Sequence, residues 1–249
     1  MCGRYTLEEV IRVLDRIAPG RHAAILREWD RKYPNIPPGT VVPIIRRAKG
    51  AQENEATTGL WKLVPPWARD PKQVSYATIN ARSESVREKP SFSHAWQQGQ
   101  RCLIPASGWY EFPEVSKGKK QPVYFSLPDK QPFCFAGIWE HWQRPVGEHE
   151  EITSMAILTC EPNATVARYH DRMPVMVAPE NYQAWLDPES DVNAAYQLLH
   201  PASQTLPLTV WPVTPRVGNV RYQADDCTTP ITPEPMKSEP PKPQQLNLF

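Results

Sequence analysis

The stretch between residues 55 and 160 constrains the fold most: short runs of β-branched and aromatic residues alternate there with turn residues. Leu103-Ile104, Tyr110 to Phe112, Val123 to Leu127, Phe133 to Trp139 and Ile152 to Thr159 are the best strand candidates, with one helix expected near Phe92 to Gln98. Helical spacing is concentrated at the two ends. Leu7, Val10, Ile11, Val13, Leu14 and Ile17 follow a Thr6/Glu9 capping box and predict a helix over 7–18, stopped by Pro19-Gly20. A second short helix is expected over Ala23 to Trp29. Tyr33 to Thr40 reads as a stiff loop, because its prolines lack donors and fix φ, and it leads into a strand from Val41 to Arg46. Beyond residue 160, Asn163 is placed to cap a helix running to Tyr169. A strand at Val175 to Val177, helices near 180–186 and 190–199, and a last strand from Leu208 to Val213 follow. Many short strands with helices at the ends predict an α+β domain, an open, strongly curved β-barrel-like core with flanking helices.

The 249 residues, 40% hydrophobic with nine Trp and nine Tyr, suffice for one sizeable core. From Asp226 onward prolines accumulate and core-forming residues almost vanish, which predicts a domain over 2–225 and a disordered Pro-rich tail over 226–249. The net charge of +1 argues against a uniformly basic histone-like protein. It leaves room for a local basic groove, and Arg4, Arg12, Arg16, Arg21, Arg27, Arg31, Lys32, Arg46, Arg47 and Lys49 crowd the first fifth of the chain, unless that run is a solvated face. Five cysteines with no CxxC spacing point to neither a zinc site nor a disulfide framework, and no metal or cofactor is expected. No leader-like start and no apolar run near the roughly 18 residues of a membrane span is visible, so a soluble, cytoplasmic, monomeric protein is expected.

Candidate chemistry begins at Met1-Cys2-Gly3-Arg4. Trimming of the initiator methionine would leave Cys2 with an α-amine and a thiol on one carbon, with ordinary pKa values of about 8 and about 8.5, so each has a usable nucleophilic fraction. Such a pair condenses with an aldehyde to an imine and then closes to a thiazolidine. Many chains begin Met-Cys by accident, so these two residues alone decide nothing. In the segment 78–84, a period of two sets Asn80, Arg82 and Glu84 on one side, either as a working row or as a solvent-facing edge with an Arg82–Glu84 pair. Glu111 lies among Trp109, Tyr110 and Phe112, where desolvation raises a carboxyl pKa towards the proton-transfer range; the alternative is a Glu on a wet sheet face. His170 lies at a helix end beside Asp171 and Arg172, a place for a tuned imidazole or an exposed one.

These segments, with Gly137-Ile138-Trp139-Glu140, His170-Asp171-Arg172-Met173-Pro174-Val175 and Val217-Gly218-Asn219-Val220, resemble the family first named SOS response-associated peptidases, now understood as abasic-site processing proteins. The resemblance spans residues 2 to about 220. It implies an α+β fold around an open β-barrel, a positive groove for single-stranded DNA and a self-crosslinking N-terminal cysteine. By that resemblance Cys2 is the covalent nucleophile, Asn80 orients it, and Glu111 and His170 handle protons. Arg4 and Arg82 then suit phosphates, with Lys62 and Trp67 as further DNA contacts, Trp67 stacking on a base or serving the core. The chain departs from the family at Lys62, where relatives have Gly, and at Phe112, where they have Trp. Competing readings are a thiol peptidase using Cys2, in which removal of Met1 would be autoproteolytic, and a noncatalytic single-strand binding protein. Weak lyase activity through the imine is also expected. Finally Gln245-Leu246-Asn247-Leu248-Phe249 resembles the Gln-Leu-x-Leu-Phe peptides that dock on the bacterial sliding clamp, with Gln245, Leu246, Leu248 and Phe249 as contacts. Such a tether would hold the protein near the nucleoid and replication fork.

Overall fold

The computed structural model describes residues 2–8, 10–20, 29, 32–143, 150–199 and 201–232. Fifteen strands are formed: β1 (Tyr5–Leu7), β2 (Tyr33–Ile36), β3 (Val41–Arg46), β4 (Glu55–Trp61), β5 (Asn80–Arg82), β6 (Arg101–Ala106), β7 (Gly108–Glu111) and β8 (Glu114–Ser116), then β9 (Lys119–Lys120), β10 (Val123–Ser126), β11 (Phe133–Gln143), β12 (Glu151–Cys160), β13 (Met173–Pro174), β14 (Met176–Val177) and β15 (Thr209–Pro212). Strands β12, β4, β3, β6 and β11 are neighbours in that order, and β11 pairs back onto β12, so five strands close into a ring. The second sheet runs β15-β10-β7-β1-β2. The expected α+β class with a strongly curved β core is what the chain forms. Short helices at Val10–Ile17, Ser93–Gln97, Tyr182–Leu186, Val192–Gln197 and Pro201–Thr205 lie between the strands.

The two sheets share one bent strand, since β6 belongs to the ring and β7 to the second sheet with only Ser107 between them. Ser107 fastens this corner to β1: its N–H donates to Thr6 O at 2.9 Å, and its Oγ accepts from Glu8 N at 2.8 Å. Gly108 follows because a Cβ there would run into the Tyr124 ring and the Phe125 carbonyl. Beneath the corner Trp109 stacks on Phe125 with centroids 4.8 Å apart and meets Phe133 and Phe135 edge-on, while Tyr5 meets Trp61 edge-on at 5.2 Å. Fully burying rings of this size contributes on the order of 4–6 kcal/mol each before conformational entropy is charged against it.

Several local expectations are corrected. The first helix starts at Val10, not at residue 7, because Thr6 and Leu7 belong to β1. Thr6 is no N-cap: its hydroxyl bonds Tyr124 Oη at 2.7 Å and Gly108 O at 3.3 Å across the sheet. The proline-rich stretch from Tyr33 forms strand β2, which among the described residues pairs only with β1 at the sheet edge, where a proline's missing N–H is tolerated. The helix expected over 163–169 is a single 3-10 turn, Val166–Arg168, although Asn163 Oδ1 does accept from Thr165 N and Val166 N at 3.1 and 3.0 Å. The strand expected at 175–177 is split into β13 and β14. The helix expected over Ala23–Trp29 lies, apart from Trp29, outside the described residues. The 3-10 turn Asp225–Thr228 buries Cys227 and Thr228, and Ile231 N donates to Pro212 O at 3.0 Å. Gln245, Leu246, Leu248 and Phe249 lie outside the described residues.

Candidate active site

Cys2 sits where the two sheets meet. Antiparallel pairing sets Tyr5 opposite Trp109, and Tyr110 N donates to Arg4 O at 3.0 Å; continuing this register brings Gly3 opposite Glu111. The end of β7 therefore carries Glu111 to the cysteine. From the ring side, Ser75 caps the 3-10 turn Tyr76–Ile79 by accepting from Ala77 N, and Trp61 Nε1 holds Ile79 O at 3.0 Å. The chain then straightens into β5, whose first residue, Asn80, donates from Nδ2 to Cys2 O at 2.8 Å. Asn80 Oδ1 is buried and finds no hydrogen-bond donor among the described residues.

His170 arrives from the loop after β12, with Nε2 3.9 Å from Glu111 Oε2. Its Nδ1 accepts from the Arg172 backbone N–H at 2.9 Å and lies 2.8 Å from Asp171 Oδ1. The two contacts suit different protonation states, the backbone N–H the neutral ring and the carboxylate the cation. Burial pulls the His170 pKa down, with Asp171 opposing it, so the neutral ring with its proton on Nε2, towards Glu111, is favoured at neutral pH. The loop is pinned by Arg172, whose guanidinium takes Glu84 bidentately at 2.8 and 2.7 Å and donates to Thr159 O at 2.7 Å. Glu84 thus pairs with Arg172 and not with Arg82. The expected alternation ends at Arg82 because Ser83–Ser85 form a 3-10 turn.

The electrostatics differ from the sequence reading at the nucleophile. Cys2 is completely buried, and burial, reinforced by the Glu111 carboxylate, pushes its thiol far above the ordinary range. A ready thiolate fraction is therefore absent in this environment, and the sulfur must hand its proton to a base as it reacts. Glu111 is 3% exposed, and burial, with Asp171 adding to it, raises its pKa from 4.5 to about 7. The apolar setting foreseen for Glu111 is thus the one it occupies, and near neutrality it can both give and take a proton.

Arg4 is buried; its Nη1 donates to Asn35 Oδ1 at 2.7 Å and Val217 O at 2.8 Å, and its guanidinium lies over Phe112. It has a structural task that the sequence did not announce, with fully buried Asn35 also gripping the 217–222 segment. Arg82 is exposed. Lys62 is buried, donating to Pro71 O at 3.3 Å with Nζ 5.0 Å from the Tyr76 ring centre. Trp67 is 62% exposed, its Nε1 held by Pro90 O at 3.2 Å, so it is not core. Tyr76, 60% exposed, was not singled out from the sequence. Its signal was available: an aromatic directly after a capping serine, four residues before Asn80.

The pattern of the SOS response associated peptidase (SRAP) family matches residues 1–220. The chain belongs to that family. Among curated SRAP relatives, the Bacillus subtilis protein named abasic site processing protein YoqW is 34% identical over 208 residues, 81% of this chain and 87% of that protein. Abasic site processing protein HMCES of Xenopus tropicalis is 30% identical over 192 residues, 69% of this chain and 56% of the relative. A solved structure from Bordetella bronchiseptica superposes with a TM-score of 0.63 at 27% identity, covering 86% of this chain and all of that one. A protein from Bacteroides thetaiotaomicron, 23% identical with a TM-score of 0.66 over 78% of this chain and 82% of that one, shares the fold.

Proposed function

We propose that this SRAP protein processes abasic sites in single-stranded DNA by forming a covalent thiazolidine through Cys2 after loss of Met1. The meeting of Asn80 and Glu111 at Cys2, with His170 3.9 Å from Glu111, brings three separate chain segments together and carries the reading. The names of its relatives agree with the substrate.

An abasic sugar is mostly a closed hemiacetal. Glu111 as carboxylate takes the C1′ hydroxyl proton and passes it through His170, whose Nε2 faces it, to the ring oxygen, which frees the aldehyde and returns both groups to their starting states. The Cys2 amine adds to C1′, and Glu111 carries its two protons in turn from nitrogen to the C1′ oxygen, which leaves as water and gives the neutral imine. Sγ then attacks the imine carbon, and its proton passes by way of Glu111 to the imine nitrogen, which becomes the ring amine. The C1′ oxygen leaves as one water, and C1′ ends bonded to N and Sγ of the same residue. Asn80, fixed on the Cys2 carbonyl, holds the backbone while its Oδ1 is available to the new amine. Exposed Arg82 suits a flanking phosphate, and exposed Trp67 and Tyr76 offer faces to neighbouring bases.

A thiolate-first peptidase fits less well, since the thiol faces a carboxylate that discourages its ionisation. The 244–249 segment adds a proposed contact with the bacterial sliding clamp. An oligonucleotide bearing an enzymatically generated abasic site should yield a denaturation-resistant protein–DNA band, absent with Cys2→Ala. An undiminished Cys2→Ala band would overturn the assignment.

A further inference from the structure

The strand that carries Glu111 to Cys2 runs on, past Phe112 and Pro113, into a two-stranded ribbon of β8 and β9 that turns at Gly118, whose φ is +74°. Since β7 and β1 are antiparallel, the end of β7 that bears Glu111 is also the end of the sheet where Cys2 lies, and the ribbon leaves from there. Lys117 at the turn stands six residues beyond Glu111, an extended reach of roughly 20 Å at most. Gln121 clamps the base, its N–H donating to Pro113 O at 3.1 Å and its Nε2 to Val213 O at 2.9 Å. Beyond that clamp every residue from 114 to 120 is exposed. Two strands without a packed face are marginal by themselves, so core packing does not explain the ribbon.

Its charge is one-sided. Lys117, Lys119 and Lys120 face a single acid, Glu114, whose Oε1 accepts from Gly118 N at 2.8 Å and which pairs across the ribbon with Lys120. Beside the base, the 214–223 segment bears exposed Arg216 and Arg221 and no acid. That segment is tied to the Cys2 end of β1 by Arg4, whose Nη1 donates to Val217 O at 2.8 Å. Asp225 and Asp226 follow it, in the 3-10 turn packed on β2. Lysines along a ribbon edge also discourage pairing with another chain, but that purpose is served wherever a ribbon points. This one leaves from the catalytic end of the sheet, with two arginines of an independent segment beside its base, and such a cluster attracts a polyanion.

Resting on the reading that single-stranded DNA is held at Cys2, we infer that the 114–120 ribbon, with Arg216 and Arg221 beside it, is an arm that binds the phosphates of the strand on one side of the abasic site. The other flank passes Arg82, Trp67 and Tyr76, so one flank is held by its bases and the other by its backbone charge. The test measures binding of full-length protein to oligonucleotides in which tetrahydrofuran replaces the abasic sugar, so that no aldehyde is present and affinity is independent of the Cys2 chemistry. They carry about two nucleotides on each side of the lesion, or about ten more on the 5′ or on the 3′ side. Extension on one side should tighten binding to wild type at least about tenfold and steepen its salt dependence. In the triple variant Lys117→Gln, Lys119→Gln, Lys120→Gln that gain should be largely lost and the salt slope lowered by about 1.4–2, whereas extension on the other side should serve both proteins equally. Matching melting curves establish that the variant is folded, and both proteins should crosslink a short abasic oligonucleotide at the same rate. A gain undiminished in the variant, or equal losses for extension on either side, would overturn the inference. Crosslinking that fails in both proteins while the one-sided gain behaves as expected would count against the Cys2 chemistry and for the arm.

Discussion

A carboxyl group forced to hold its proton to about pH 7 has two consequences, and Glu111 shows both. Unfolded, the group ionises near 4.5; folded, near 7, so its ionisation destabilises the fold progressively between those values. The penalty is absent below the lower value and complete above the upper one. Glu111→Gln should therefore raise the melting temperature at pH 8, by at most about 3 kcal/mol of stability, and leave it unchanged at pH 4. The same substitution should slow crosslinking about 10²- to 10⁴-fold, with affinity for undamaged single strands retained. In wild type the rate should rise with pH through about 7, and that inflection should vanish in the variant. Equal losses of rate and affinity would make Glu111 structural. At this scale the sequence was informative: three aromatics around one Glu announced its desolvation. It misled at Cys2, because burial depends on the meeting of two sheets that no local pattern encodes.

Elements decide how the site's parts are held. The bidentate Arg172–Glu84 pair joins the His170 loop to the turn after β5, so one guanidinium sets the distance between two segments remote in sequence. Arg172→Lys keeps the charge but cannot make the fork. It should lower stability by about 1–2 kcal/mol and crosslinking about tenfold, and by displacing His170 from Glu111 it should shift the pH profile of crosslinking. A rate loss without any change in that profile would count against a positioning role. The strong β runs of the central region were legible because alternation and turn residues agree there. β1 and β2 were not. Thr6 and Leu7 carry a helix-start pattern that pairing with β7 overrides, and Pro34 hides a strand that works only as an edge. Glu84 was misassigned because a 3-10 turn breaks the period of two just where the row was expected to continue.

Over the whole molecule, a closed ring and a second sheet sharing one bent strand leave the catalytic candidates at the seam. No helix among the described residues is long and apolar enough to cross a membrane. The proposed clamp contact belongs to this scale, since a Pro-rich tether raises local concentration without touching the chemistry. Deleting Leu248 and Phe249 should abolish binding to purified sliding clamp and leave crosslinking of free oligonucleotides intact. Equal clamp binding by the full and shortened chains would dismiss the tail reading while the Cys2 chemistry stands.

That chemistry is tested most directly by the composition of the adduct. Wild-type protein lacking Met1 should be crosslinked to an abasic oligonucleotide, its intact mass taken, and the isolated adduct then treated with iodoacetamide and, separately, borohydride before peptide mapping. The thiazolidine predicts a mass equal to protein plus DNA less one water, mapped to Cys2, with the Cys2 thiol closed to alkylation and the linkage unchanged by borohydride. An adduct on another residue, or one at Cys2 whose thiol still alkylates and whose linkage borohydride reduces, would contradict it.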